Sequence, residues 1–331
     1  MRASSFGLVA LSVAAAAALH LSGCGGGGGG TGGGGGSSTG GDDPCNPAKI
    51  KTCDIARQIP SDCIALADYA GKSTTVLRMA QLSVKKPEGL VNPIVRDLVD
   101  SGVTVNLPQC NLGDNSASSM AGNFNWLMQF DLTKGVVKTG GALPVADPLQ
   151  GYTFATGSIT QGGQKFSVAP VEIPLTVKSD GTFSGTKGLD LVVPIYQDKA
   201  GSTAILLPLH DARLVTGKIS TDHNCIGSFD SKDLSPNFNC KTNEPYVTAG
   251  TLDAFITLEE ADKVDVPTAG TTLCAIIAGL ADNPNHHCER DAKGNIKFQG
   301  DWCSTSNTAG GCKDSVKLEG DFAAAAVKLS G

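Results

Sequence analysis

The chain has 331 residues, 32 acidic against 26 basic side chains, and no Lys/Arg cluster interleaved with aromatics. That balance excludes the basic footprint a nucleic-acid partner requires. Eleven cysteines, with only four tyrosines and two tryptophans, predict an exported, disulfide-stapled chain whose core is mostly aliphatic.

The N-terminus has the parts of an export signal. Arg2 supplies the charged end and residues 7–19 the apolar stretch, which is shorter than the ~20 apolar residues a membrane span needs. Leu21-Ser22-Gly23-Cys24 closes this segment and resembles the lipobox of bacterial lipoproteins. The resemblance implies cleavage before Cys24 and acylation of that cysteine, which turns a soluble chain into an anchored one. Without residues 1–23 the chain keeps all 32 acids and loses only Arg2, so its net charge moves one unit further negative.

Residues 25–44 include 13 glycines and nothing to bury. Such a coil of 20 residues spans roughly 25 Å root-mean-square and acts as a tether. Gly36-Ser37-Ser38-Thr39-Gly40 spells a nucleophile elbow, but that motif works only as a strained turn between strand and helix.

From Cys45 onward the pattern has mainly period two. A strand is expected over residues 75–84. Trp126, Met128, Phe130 and Leu132 form an earlier alternation. Val171, Ile173, Leu175 and Val177 repeat the alternation before a turn at Ser179-Asp180-Gly181, and Leu189, Leu191, Val193 and Ile195 follow. Ile205, Leu207 and Leu209 predict another strand, residues 214–220 its return, and Leu252, Ala254, Ile256 and Leu258 a later one. One buried face per strand predicts an antiparallel sheet. Pro174, Pro194 and Pro208 confine their strands to edges or bulges.

Helical spacing appears at Leu90, Val91, Ile94, Val95, Leu98 and Val99, and again at Leu273, Ile276, Ile277 and Leu280. Thr257-Leu258-Glu259-Glu260 reads as a capping box that opens a short helix over residues 259–262. The expected class is mainly β (α+β): an antiparallel β-sandwich or open barrel with two or three short helices, disulfide-rich.

Chemical motifs are weak. Gly71-Lys72-Ser73 resembles the end of a P-loop, but Leu66 occupies the place of its first glycine, so the segment reads as a turn before a strand. His286, His287, Cys288 and Glu289, with Cys274 upstream, offer zinc-type ligands, but disulfide formation would consume the thiolates. The calcium-loop pattern fails at Asp282, where Pro284 intervenes, and at Asp230, where Lys232 does. Asp291, Gly294 and Asn295 read as a hairpin turn. Asp190, Asp211, Glu259 and Asp262 are acids with no visible partner, and His210 and His223 stand alone in the sequence. No catalytic residue, metal or cofactor is assigned.

Ten cysteines remain after Cys24: Cys45, Cys53, Cys63, Cys110, Cys225, Cys240, Cys274, Cys288, Cys303 and Cys312. Local closure favours Cys53 with Cys63, Cys225 with Cys240 and Cys303 with Cys312, leaving Cys274 with Cys288 and Cys45 with Cys110. The chain then divides into a signal segment at 1–23, the lipidated Cys24 and tether at 24–44, and a β-rich globular region at 45–331. Within that region, residues 265–331 form a disulfide-rich part.

With the lipobox and polyglycine tether, the Asn224-Cys225-Ile226-Gly227-Ser228 element, Gly300-Asp301-Trp302-Cys303 and Gly310-Gly311-Cys312 resemble bacterial cell-surface lipoproteins of the kind numerous in myxobacteria. The resemblance implies a lipid-anchored protein of the cell envelope. Gly25 after the acylated cysteine, in place of Asp, implies the outer membrane. It implies no activity. The expected partners are the membrane, through Cys24, and an unidentified ligand or protein. The expected function is non-enzymatic display, adhesion or binding, with an apolar-ligand carrier and an envelope hydrolase as alternatives.

Overall fold

Leu77 and Met79 on one face and Val76 on the other, all apolar, mark the first long strand, β1 (Thr74–Lys86). The computed structural model describes residues 66–91, 124–145, 150–198, 200–227, 249–279 and 286–330. After a one-turn helix α1 (Glu88–Val91) come β2 (Trp126–Asp131) and β3 (Val136–Gly141). The hairpin β4 (Gly157–Gln161) and β5 (Gln164–Val168) precedes the short strands β6 (Val171–Pro174), β7 (Thr176–Val177) and β8 (Thr182–Ser184). Then follow β9 (Leu189–Tyr196), β10 (Ala204–Lys218), β11 (Cys225–Ile226) and β12 (Gly250–Thr257). Helix α2 (Leu258–Ala261), β13 (Asp265–Val266), β14 (Thr271–Thr272), α3 (Leu273–Ile277) and β15 (Ser315–Ala326) complete the chain.

Eleven strands form one antiparallel sheet in the order β6-β3-β2-β1-β15-β12-β10-β8-β7, with β11 on β15 and β9 on β10. The two ends of that path, β6 and β7, are separated in the chain by Leu175 alone. The Leu175 N–H donates to Gly135 O at 2.8 Å, so the sheet curls until the chain itself crosses its seam. The result is a nearly closed, barrel-like sheet, the open-barrel alternative of the sequence reading.

The prolines sit where their missing N–H costs least. Pro174 ends the terminal strand β6, and Pro194 lies in β9, whose only ladder among the described residues is with β10. Pro208 falls just before a bulge, where the register of β10 shifts between Leu209 and Ala212 against β9 and between His210 and Arg213 against β12. This bulge corrects the expectation that residues 214–220 return as a separate strand. Residues 214–218 continue β10, bent at Asp211, which takes the left-handed φ of 48°, and residues 219–220 lie beyond its end. The bend lets one strand pair with β9 along its first half and with β12 and β8 along its second.

Burial follows the pleat. Leu77 and Met79 of β1, Trp126, Met128 and Phe130 of β2, and Ile256, Leu318 and Phe322 fill the main core. The opposite face of β1 and β2 is also covered there, because Val76 and Leu127 pack with Leu66, Ala142, Tyr152 and Val327 in a second cluster. Gly250 makes room for an aromatic ring of this core: a Cβ there would lie 2.3 Å from Phe322 Cζ. The remaining members of the two predicted helical stripes, residues 94–99 and Leu280, lie outside the described residues.

Candidate functional site

Helix α2 is a single turn, and its local sequence explains why it forms. Thr257 is the N-cap, its hydroxyl accepting from the Glu260 N–H at 3.3 Å and donating to Glu260 Oε2 at 2.6 Å. The helix spans residues 258–261, one residue earlier than expected. Thr257 lies opposite Ser315 in the β12–β15 ladder. The Glu260 carboxylate accepts the Thr257 hydroxyl and meets His210 through the same oxygen. The turn projects three carboxylates: Glu260 to one side, Glu259 and Asp262 to the other.

On the first side Glu260 meets His210, at the bulge of β10. His210 Nε2 lies 2.5 Å from Glu260 Oε2, and Nδ1 lies 3.3 Å from Asp190 Oδ2 on β9. The ring stacks on Phe255 at 5.2 Å between centroids. Gln164, from the β4–β5 hairpin, donates to Glu260 Oε1 at 3.3 Å and accepts from Lys263 Nζ at 2.9 Å. Asp190 also accepts the Asp211 N–H, and Asn307 donates to Asp211 Oδ2 at 3.0 Å. Gln164, Asp190, His210 and Glu260 border a solvent-open groove of about 220 Å³ with Phe166, Leu191, Pro208 and Leu209 as its apolar wall.

The bond from Glu260 raises the His210 pKa; burial opposes it, and the charges of Glu260 and Asp190 add to the rise. Burial alone would raise the Glu260 carboxyl, but bonds from His210 and Thr257 and the imidazolium charge bring it below the ordinary value. A neutral imidazole has one N–H and one lone pair, so it cannot donate to two carboxylates together. Protonated, His210 can bond both carboxylates at once, and its raised pKa favours that form. In that form neither ring nitrogen offers a lone pair, and the arrangement is a cationic clamp instead of a general base.

On the second side Arg290 bonds Glu259 through both Nη atoms, at 2.9 and 3.0 Å, and Asp262 Oδ2 through Nη2 at 2.8 Å. The bond to Glu259, and then that to Asp262, holds the guanidinium pKa far above its usual value. Asp262 is buried, and its Oδ1 accepts from the Cys288 N–H at 2.7 Å and from the Thr272 hydroxyl at 3.2 Å. Gly162, Lys263, His287, Cys288, Glu289 and Arg290 line, with Asp262, an open groove of about 520 Å³. The turn after Arg290 is the predicted hairpin, in which Gly294 N donates to Asp291 O and Asp291 N to Asn295 O.

The sequence reading held His210 to be isolated; the structure corrects this, placing it between two carboxylates that lie 20 and 50 residues away in the chain. His223 makes no such pair among the described residues and ties a turn to Lys72 O at 2.7 Å. Of the four acids singled out, Asp190 reaches His210, Asp211 forms the bulge, and Glu259 and Asp262 converge on Arg290. Disulfides join Cys274 to Cys288 and Cys303 to Cys312. Cys225 is also disulfide-bonded; Cys24, Cys45, Cys53, Cys63, Cys110 and Cys240 lie outside the described residues. No family model matches this chain, and neither does any curated protein or solved structure.

Proposed function

We propose that the protein is a lipid-anchored cell-envelope protein that displays a disulfide-stapled β-barrel-like domain for binding. In this reading Cys24 carries the anchor, residues 25–44 are the tether, and recognition uses the polar grooves on either side of α2. The observation that supports display over transport is the packing inside the sheet among the described residues. The space bounded by Trp126, Ile173, Leu191, Leu214 and Leu252 is about 10 Å³, about the size of one water site and far below a carrier's several hundred Å³. The doubly committed His210 argues in the same direction against a hydrolase built on this histidine.

Native mass spectrometry of the exported chain, before and after denaturation, tests the reading. A bare mass in the folded protein supports display. A co-purifying apolar molecule released on denaturation would replace it with the carrier.

A further inference from the structure

Strand β1 buries a positive charge that no acid answers. Arg78 is 1% exposed, and Asn125, just before β2, is 0% exposed. The Arg78 Nε donates to Asn125 Oδ1 at 2.7 Å, and Nη1 donates to the Met79 carbonyl at 3.0 Å. Arg78 Nη2 and Asn125 Nδ2 have no hydrogen-bond partner among the described residues. Covalent geometry puts Nη2 on the same edge of the guanidinium as Nε, and Nδ2 beside Oδ1, so both unmatched donors flank a single hydrogen bond. Turning the amide over does not help, because it would set Nδ2 against Nε, donor against donor.

The surroundings supply no negative charge. Across the ladder Arg78 lies between Leu127 of β2 and Ala325 of β15, and its guanidinium carbon stands 5.7 Å from the centre of the Tyr152 ring. Val76, Ala142 and Val327 pack with Leu127 and Tyr152 on this face. No carboxylate among the described residues forms an ion pair with Arg78. Burial lowers its pKa from the ordinary value, but a guanidinium keeps its proton inside a protein. The charge therefore stays where it is.

We propose that Arg78 and Asn125 hold a small monovalent anion of the halide class, with chloride as the natural ligand, against Nη2 and Nδ2. A buried charge is tolerated when it is paired and a buried donor when it is matched; one anion does both. Water does less, because it brings two O–H donors of its own into a place short of acceptors and carries no charge. The near-complete burial of both residues favours a single-atom ion over a phosphate or an organic acid. Asn125 O in turn accepts the Ala142 N–H at 2.7 Å, so the ion ties β1 to the start of β2 and the end of β3. The site uses none of the residues that line the grooves beside α2 and does not depend on the display reading.

The test uses the full lipidated chain in detergent, melted at constant ionic strength while chloride replaces gluconate, an organic anion too large for the site. An ion held only by the folded state raises Tm with the logarithm of its concentration, by about 5–10 °C at a hundredfold excess over its Kd. Bromide should act in the same way. Arg78→Met/Asn125→Leu should remove the dependence and keep the circular-dichroism spectrum. Crystals grown in bromide read the site without any variant, and the expected result is an anomalous-scattering peak in hydrogen-bond contact with Arg78 Nη2 and Asn125 Nδ2. The proposal is overturned if wild type and double variant share one chloride slope, if no bromide peak stands at Arg78, or if a water or a carboxylate of the chain occupies that place.

Discussion

Raising the pH from 5.5 to 8.5 should loosen the clamp at His210, and the structure sets the size of the effect. The bond to Glu260 is charge-assisted and partly shielded, worth about 1.5–3 kcal/mol while His210 is protonated. Deprotonation leaves a neutral donor worth about half of that. Asp190, 73% exposed, then faces a lone pair or nothing, a loss of about 0–1 kcal/mol. The expected cost is about 1–2 kcal/mol, or roughly 2–8 °C in Tm for a domain of this size. The sign follows from the raised His210 pKa: the stabilisation is fully present below the ordinary histidine value near 6.5 and is lost as pH rises through the higher folded value. Glu260 acts oppositely, its contribution present above the ordinary carboxyl value and lost as pH falls through the lowered one. Thermal melts of the wild type and of His210→Gln across this range measure the difference. The wild type should lose stability on the alkaline side while the variant stays flat there. Equal slopes for the two proteins would refute the clamp.

Other perturbations test the packing and the staples. Gly250→Ala pushes a Cβ to 2.3 Å from the Phe322 ring and should destabilise by about 1–3 kcal/mol in urea titration. Arg78 is 1% exposed, its Nε donates to Asn125 Oδ1, and Arg78 Nη2 and Asn125 Nδ2 have no hydrogen-bond partner among the described residues. The paired replacement Arg78→Met/Asn125→Leu should therefore hold or raise stability, by up to ~4 kcal/mol, whereas Asn125→Leu alone should cost about 3–5 kcal/mol; denaturant midpoints distinguish the two. Cys274→Ser/Cys288→Ser removes a bridge between residues 14 apart and should lower stability by about 3 kcal/mol, read by calorimetry.

Local signals were legible in the sequence, and those that depend on distant pairing were not. Alternation at 126–132 and 252–258 marked β2 and β12 because a strand with one side in the core writes its pleat into the chain. Thr257 and Glu260 marked α2 because a cap is made within one turn. The continuous β10 was hidden because His210-Asp211-Ala212-Arg213 interrupts the apolar alternation as a turn would, and only the neighbouring strands reveal a bulge. The same bulge hides the clamp: it aims His210 at Glu260 while β9 brings Asp190 alongside, and neither approach leaves a mark in local spacing. Likewise Asp262 reads as one more surface acid until Thr272, Cys288 and Arg290 surround it. Cys303 with Cys312 was the easiest pair to name, since a loop of this length closes on itself at small entropic cost.

The proposed anchor at Cys24 is tested most directly by the mass of the N-terminal peptide of the chain recovered from membranes. The account predicts a peptide beginning at Cys24 and carrying acyl chains, with Cys24→Ala releasing the protein from the membrane fraction. A chain that retains residues 1–23, or that begins at an unmodified Cys24, would contradict it.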